Sequence, residues 1–529
     1  MALDDEASRE AQERSSDVPY LRTFSSDLGP AQLRLVAALN GFAPPRPSGF
    51  DYCEIGAGNG DTTAALAAAN PTARFVGVDI NPDHVAFGTG LASRGGLDNL
   101  RFLELDFAEL ASAKLPEFDF IGANGVLSWV SPSMRRAMIA VASAKLAPGG
   151  LFYVSYNALP GWAAVEPLRR LMLDSVAGFE GTDLERARRA VGVARLLCEG
   201  GAGYFAGNPA AVTMLETMVK MGMPYVVYEY LKPHWHPRYF ADVALEMASQ
   251  DLHFIGQLPL HLNYRDLALT PAHIELFKGV SDRIAFENLK DFALNEFFRR
   301  DVYIKGRAPC SEATTRAYLE TTAFGTMVSA AQVKREDRLP SATLRFNGPL
   351  FDALIPALAE GAKTLPELLS RLDLATFGAS KVRDAILHLV LGGQVFPMQG
   401  STPPASPAEA EVEEGIYRIP LAYNRMMLSQ RLSPENPIIL ASPAAGTGLV
   451  IPQLEAISLR LLTEVEPAER PAWIRAFVVR QPLKLRTLDR AIEAAEEKVQ
   501  ILEEQLAQFR VHRLPKLLEL GVVARSPST

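Results

Sequence analysis

The chain has 529 residues, 48% hydrophobic and 22% charged, with a formal net charge of −8. That length points to three or four domains, and the composition excludes a disordered or collagen-like chain. The acidic balance removes any global attraction to nucleic acid or anionic membrane. The three cysteines, Cys53, Cys198 and Cys310, show no CxxC spacing, which argues against a disulfide framework or a zinc site.

The N-terminal "MALDDEASREAQERSSD" is polar and acid-rich and lacks the apolar region of a signal peptide. No apolar run reaches the roughly 20 residues of a membrane span. We therefore expect a soluble, cytoplasmic protein without membrane insertion, its first 15 or so residues loose (about 15, as for most free termini). From about 30 to 160, short apolar strands ("FDYCEI", "RFVGVDI", "LRFLELD", "FDFIGAN", "GLFYVSYN") alternate with helical patterns. This alternation predicts an α/β, Rossmann-like parallel sheet covered on both faces. Residues 163–222 read as a helical insertion. The strand-like "LHFIGQL" and "RRDVYIKG", within 223–310, read as the completion of the same sheet after the 18–162 core.

Residues 345–400 read as a winged-helix-like module, with "TLPE" at 364–367 as a capping box. Four basic and five acidic side chains in 350–400 cannot neutralise a row of phosphates, so we expect a structural or protein-contact role and no nucleic-acid partner. "GSTPPASPAEAEVEEG" (400–415) reads as a linker. The 415–529 domain is expected to be mostly helical. In it Leu485, Leu488, Ile492, Ala495, Val499, Leu502, Leu506 and Phe509 follow a heptad seam between Pro482 and Pro515, suited either to another subunit or to its own domain.

The chemistry concentrates in "FDYCEIGAGNGD" (50–61). Glycines after a strand let the chain turn sharply and let a ligand approach the backbone. A dinucleotide turn is spaced GxGxxG and aims a helix N-terminus at a pyrophosphate. Here Gly56, Gly58 and Gly60 are spaced GxGxG and Glu54 precedes them, which disfavours a pyrophosphate and suits a ligand with ammonium and sulfonium charges. S-adenosyl-L-methionine carries both. Asp79, at the second strand end and 19 residues past Gly60, is placed to accept ribose hydroxyls. Asp106, at the third, is placed to accept from the adenine amino group, with Phe107 beside the ring. Ala57, Ile80, Asn124 and Gly125 complete the expected cofactor contacts.

The run "EIGAGNG…VGVDI…LELDF" resembles the class I S-adenosylmethionine-dependent methyltransferases. "FDFIGANGVLSWVSP", "LAPGGLFYVSYNALPGW", "VYEYLKPHWHPRYFADVA" and "FFRRDVYIKG" resemble a bacterial subgroup with a methyltransferase regulatory domain, which includes protein-lysine methyltransferases of outer-membrane proteins. The resemblance implies a seven-stranded core, methyl transfer to a protein lysine, and a homodimer formed through the helical insertion. It also matches Tyr20 to a subgroup tyrosine that either closes over the cofactor or staples the N-terminal arm. Two departures stand out: Asn124 where the subgroup has His, and Tyr228-Glu229-Tyr230 where it has His-Glu-Tyr.

Methyl transfer is chiefly a positioning problem in a water-excluded site. For the acceptor side we expect Asn124, Tyr156, Asn157 and Trp129 in the catalytic centre. Tyr156, Trp129 and Trp162 would line the channel, although both tryptophans also suit ordinary core roles. Glu229 is either a proton acceptor or an ion-paired surface carboxylate. "HWH" at 234–236 lacks an evident third ligand, so no metal is expected. The rival readings are a small-molecule N- or O-methyltransferase and a cofactor-binding regulatory protein without transfer activity.

Overall fold

The structure is a computed structural model and describes residues 22–232, 234–306, 309–400, 417–432, 437–480, 483, 485–486 and 490–526. Tyr20, Leu488, Pro482 and the linker at 401–415 lie outside the described residues.

Seven strands form one sheet: β1 (Asp51–Ile55), β2 (Arg74–Asp79), β3 (Leu100–Glu104), β4 (Phe118–Ala123), β5 (Leu146–Asn157), β6 (Leu252–Gln257) and β7 (Phe298–Lys305). Their order is β3-β2-β1-β4-β5-β7-β6, with β7 antiparallel to both β5 and β6 and the other pairings parallel. The strand order reverses between β1 and β4, the place where open α/β sheets hold ligands beyond the strand ends. The expected completion of the sheet by late strands is thus observed.

Period-2 alternation sends side chains to two cores. Tyr52, Phe75, Phe120 and Tyr153 pack on one face with helices Pro30–Leu39 and Asp61–Ala69. Ile55, Val78, Val154 and Tyr156 pack on the other with helices Pro132–Lys145 and Phe240–Ala248. The first core continues without a break into residues from 354–398 and 417–523. Helix Asp61–Ala69 shows what that continuity does. All nine of its residues are buried, so it has no solvent face. Its outer side is covered by the hairpin Ile438–Ser442/Thr447–Ile451, with Asn70 Nδ2 donating to Gly446 O at 3.0 Å.

On β7 the wholly buried Arg299 donates to Asp301 (2.9 Å) and Asp291 (2.5 Å) and pairs with Glu287 (3.3 Å), while Lys290 pairs with Glu287 at 2.6 Å. Buried charges persist only when paired in this way, and the network ties helix Arg283–Leu294 to the sheet.

Three sequence expectations change. The helical block runs on to Tyr230, because Val226, Val227 and Tyr230 share the core of the insertion with Trp162 and Leu168. In the winged-helix-like unit, Glu367 reaches back to the Thr364 N–H at 2.7 Å, yet the strand Phe396–Pro397 pairs with Phe324–Gly325, ahead of residue 345. The heptad seam is broken. Leu485 pairs with Ile492 across a short ribbon, and the helix begins only at Ala495. Burial of Ile492 in the ribbon overrides the helical period there. Within the helix, Leu502 and Phe509 are buried against helices Gln453–Glu464 and Arg470–Arg480 of the same chain.

Candidate methyl-transfer site

The turn after β1 has the backbone its glycines require: φ is +69° at Gly56, +53° at Gly58 and +75° at Gly60. Gly56 and Ala57 donate their N–H groups to Val78 O, which ties the turn to the end of β2. Asp79 Oδ2 accepts the Gly58 N–H at 2.8 Å, and Oδ1 accepts the Asn81 N–H at 2.9 Å, with His84 Nδ1 3.3 Å away. The carboxylate expected for ribose therefore already rests against the glycine turn. Ile80 beside it is 37% exposed, an apolar surface at the rim.

Phe102 was not anticipated from sequence. Its ring lies where a Cβ on Gly60, Gly77 or Gly88 would stand, so three glycines make room for one wedge beneath the turn. On the other side, a Cβ on Gly56 would come within 2.5 Å of Val126 Cγ2. The segment after β4 thus closes on the turn and carries Asn124 and Gly125 with it. Ser155, also unanticipated, links them: its hydroxyl donates to Asn124 Oδ1 (2.8 Å) and accepts the Gly125 N–H (2.8 Å).

Electrostatics favour a cation. Glu54 is buried and accepts from Thr63 Oγ1. Burial, against that bond and with the Asp79 and Asp61 charges adding, pushes its carboxyl up to about 7. Asp61 pairs with Arg22 at 2.5 Å, and the same guanidinium donates to Gln430 Oε1 at 2.7 Å. Asp106 caps helix Phe107–Ser112, accepting the Glu109 N–H at 2.7 Å, and Phe107 packs on the core.

The acceptor-side expectations divide. Asn157 is brought to the strand ends: its N–H donates to Ser128 Oγ at 2.9 Å and its carbonyl accepts the Arg238 N–H at 3.0 Å. Trp129 is half-buried against the helical insertion. Trp162 is a core anchor, 4.1 Å from Phe297 and 4.8 Å from Trp235 between ring centroids. Tyr156 does not line the crevice. It lies on the opposite face from Ser155 and Asn157, fully buried, and donates its hydroxyl to Asp301 Oδ2 at 2.7 Å. Among the described residues Glu229 makes no ion pair, contrary to the surface-carboxylate expectation, and burial raises it to about 7.

Two family models match the chain: "Methyltransferase domain" over residues 53–152 and "Predicted methyltransferase regulatory domain" over residues 223–305. With the strand order, they make the chain a class I S-adenosylmethionine-dependent methyltransferase carrying a methyltransferase regulatory domain. The regulatory match contains β6 and β7, so this region supplies two strands of the catalytic sheet.

Along nearly its whole length the chain is similar to the uncharacterized protein sll1526 of Synechocystis sp., at 29% identity over 96% of this chain and 98% of that protein. The uncharacterized protein RP789 of Rickettsia prowazekii is 26% identical over 54% of this chain and 51% of its own length. Among solved structures, PKMT2 from Rickettsia typhi in complex with AdoHcy shares the fold at a TM-score of 0.70, with 18% identity, over 93% of this chain and 99% of that one. Among the described residues, no helix is long and apolar enough to cross a membrane.

Proposed function

We propose that the chain methylates lysine side chains of a protein, using S-adenosylmethionine held at the turn Gly56–Gly60. The observation that carries the cofactor half is the Asp79 carboxylate clasped to Gly58 beside the buried Glu54. That arrangement fits a ligand with a ribose diol and positive charge, and it repels a pyrophosphate. In this reading Glu54, Gly56, Ala57, Gly58, Gly60, Asp79, Ile80, Asp106, Phe107, Asn124 and Gly125 hold the cofactor. When bound, the cofactor supplies an electrophilic methyl group.

The chain's own residues then position the acceptor. Asn124, its side chain held by Ser155, and Asn157, its backbone N–H held by Ser128, stand at neighbouring strand ends where an amine lone pair must be aimed. A lysine must arrive neutral, and desolvation lowers its pKa from about 10.4. Support for a protein acceptor comes from the full-length likeness to PKMT2, a protein lysine methyltransferase, and from the large regions beyond the sheet. Label from methyl-tritiated S-adenosylmethionine should appear in methyl-lysine after acid hydrolysis of a treated protein lysate. Label confined to metabolites would replace this reading with the small-molecule one.

We also infer a cytoplasmic homodimer joined through the helical insertion. Leu196, Leu197, Val219 and Met221 are exposed there, which supports an apolar contact. Sedimentation of a monomer at micromolar concentration would exclude the dimer, and cell fractionation tests the location.

A further inference from the structure

Just beyond the ends of β4 and β5, one knot of side chains combines buried polar nitrogens with three arginines. His236 N–H donates to Ser128 O at 2.8 Å, and Arg238 N–H to Asn157 O at 3.0 Å. These bonds hold the 234–238 loop over the strand ends. Trp162 and Trp235 meet edge to face at 4.8 Å, and the Arg169 guanidinium lies 4.9 Å from the Trp235 ring centroid. Asn157 Nδ2, Trp162 Nε1, Trp235 Nε1, Arg169 Nε, Arg238 Nε and His236 Nε2 are buried and have no hydrogen-bond partner among the described residues. Four of their side chains are more than nine-tenths buried: Asn157 (6% exposed), Trp162 (5%), Trp235 (5%) and Arg169 (9%). Buried polar groups ordinarily find partners, and a group of them rich in N–H donors that does not points to an acceptor-rich ligand.

The charges agree. Arg135 and Arg238 share Glu246, at 2.8 Å and 3.0 Å, and Arg238 also reaches Asp242 at 3.9 Å. Among the described residues Arg169 makes no ion pair, and its guanidinium donates to Lys232 O at 2.5 Å. A guanidinium this buried is costly without a counter-ion. A guanidinium whose charge Glu166 offsets without a direct ion pair, beside indole and amide N–H groups, suits a singly charged carboxylate better than a phosphate dianion.

We infer that this knot is an oxyanion subsite on the acceptor side of the crevice, and that its occupant is a carboxylate side chain flanking the target lysine of the protein substrate. The occupant rests on the protein-lysine reading above; the subsite does not. It selects acidic sequence context while the neighbouring strand ends handle the amine.

Two measurements on the full chain test this. Tryptophan fluorescence is titrated with sodium acetate, and separately with inorganic phosphate, at ionic strength held constant with chloride. A saturable response is expected in the wild type and in Arg170→Met, a surface control on the same helix. It is lost in Arg169→Met, which keeps the aliphatic packing on Trp235. Next, kcat/KM is compared for lysine peptides flanked by Glu or by Gln. The wild type should favour Glu by about tenfold, and Arg169→Met should bring the ratio near one with S-adenosylhomocysteine affinity unchanged. No saturable response, or one that survives in Arg169→Met, overturns the subsite. Equal use of both peptides, or a response to phosphate with none to acetate, overturns the carboxylate occupant. If acetate binds but no lysine peptide is methylated, the lysine reading and the occupant fall together and the subsite stands.

Discussion

The Asp79 carboxylate accepts the Gly58 backbone N–H at 2.8 Å, so the group we propose for ribose also holds the middle of the glycine turn. Asp79→Ala removes both functions. We expect S-adenosylhomocysteine affinity to fall by about ten- to a hundredfold, the scale of losing one or two hydrogen bonds to a charged group. Asp79→Asn keeps an acceptor and should recover part of the loss. Calorimetric titration decides, and unchanged affinity in the alanine variant would remove Asp79 from the cofactor site.

Gly60 combines a φ of +75° with the Phe102 ring at its Cβ position. Gly60→Ala meets both obstacles, strain and overpacking, and should cost about 2–4 kcal/mol. Adding Phe102→Leu makes room for the methyl group but leaves the backbone strain, so rescue should be partial. Chemical denaturation of the single and double variants measures this; additive losses would show that the wedge does not confine the turn.

Tyr156→Phe separates a structural from a catalytic role. The hydroxyl is donated to buried Asp301, so its loss should cost about 1–3 kcal/mol of stability. Methyl-transfer kcat below the unfolding temperature should stay within about twofold, since the ring faces away from Ser155 and Asn157. A large fall in kcat with unchanged stability would return Tyr156 to the reaction centre.

The contrast between Tyr156 and Asn157 marks what the sequence could and could not tell. Glycine turn, Asp79 and the late strands of the sheet were legible because each is local: a spacing, a strand end, an apolar run. Strand alternation alone could have separated Tyr156 from its neighbours, since residues 155 and 157 share a face that 156 cannot. Phe102 carries no sequence signal, because its importance lies in three glycines that only tertiary packing brings around it. Nor could spacing show Arg22 bridging Asp61 and Gln430, the latter 408 positions away. The heptad misled because Leu485 and Ile492 satisfy the same apolar pattern by pairing across a ribbon.

Glu54 gives the site a pH signature. Burial raises it to about 7, so near pH 6 it is mostly protonated in the free protein, whereas an unfolded glutamate, near 4.3, is ionised. Between those values the folded state holds the extra proton, so this residue's contribution to stability falls as pH rises through the window. A cationic ligand beside it favours the charged form. Binding of S-adenosylmethionine at about pH 6 should therefore release a proton, seen as a dependence of the calorimetric heat on buffer ionisation enthalpy. Glu54→Gln should bind without that dependence. Proton uptake in the wild type would show that the positive charge lies elsewhere.

The C-terminal region should prove inseparable from cofactor binding. Helix Asp61–Ala69, which follows the glycine turn, has every residue buried, and Gly448 on the covering hairpin is pressed against Phe24 and Ala65. Arg22 adds a polar tie from Asp61 to Gln430. A chain ending at residue 400 would expose the Ala-rich outer face of that helix and leave Asp61 without Gln430's hold on its partner. Loss of S-adenosylhomocysteine binding and aggregation of the shortened protein are expected. The milder pair Arg22→Met and Gln430→Ala should each weaken binding several-fold without unfolding the sheet, and together no more than either alone, because both break one bridge. If the shortened chain bound the ligand as tightly as the full one, the helix would not depend on its C-terminal cover and the shared core would be incidental to the site.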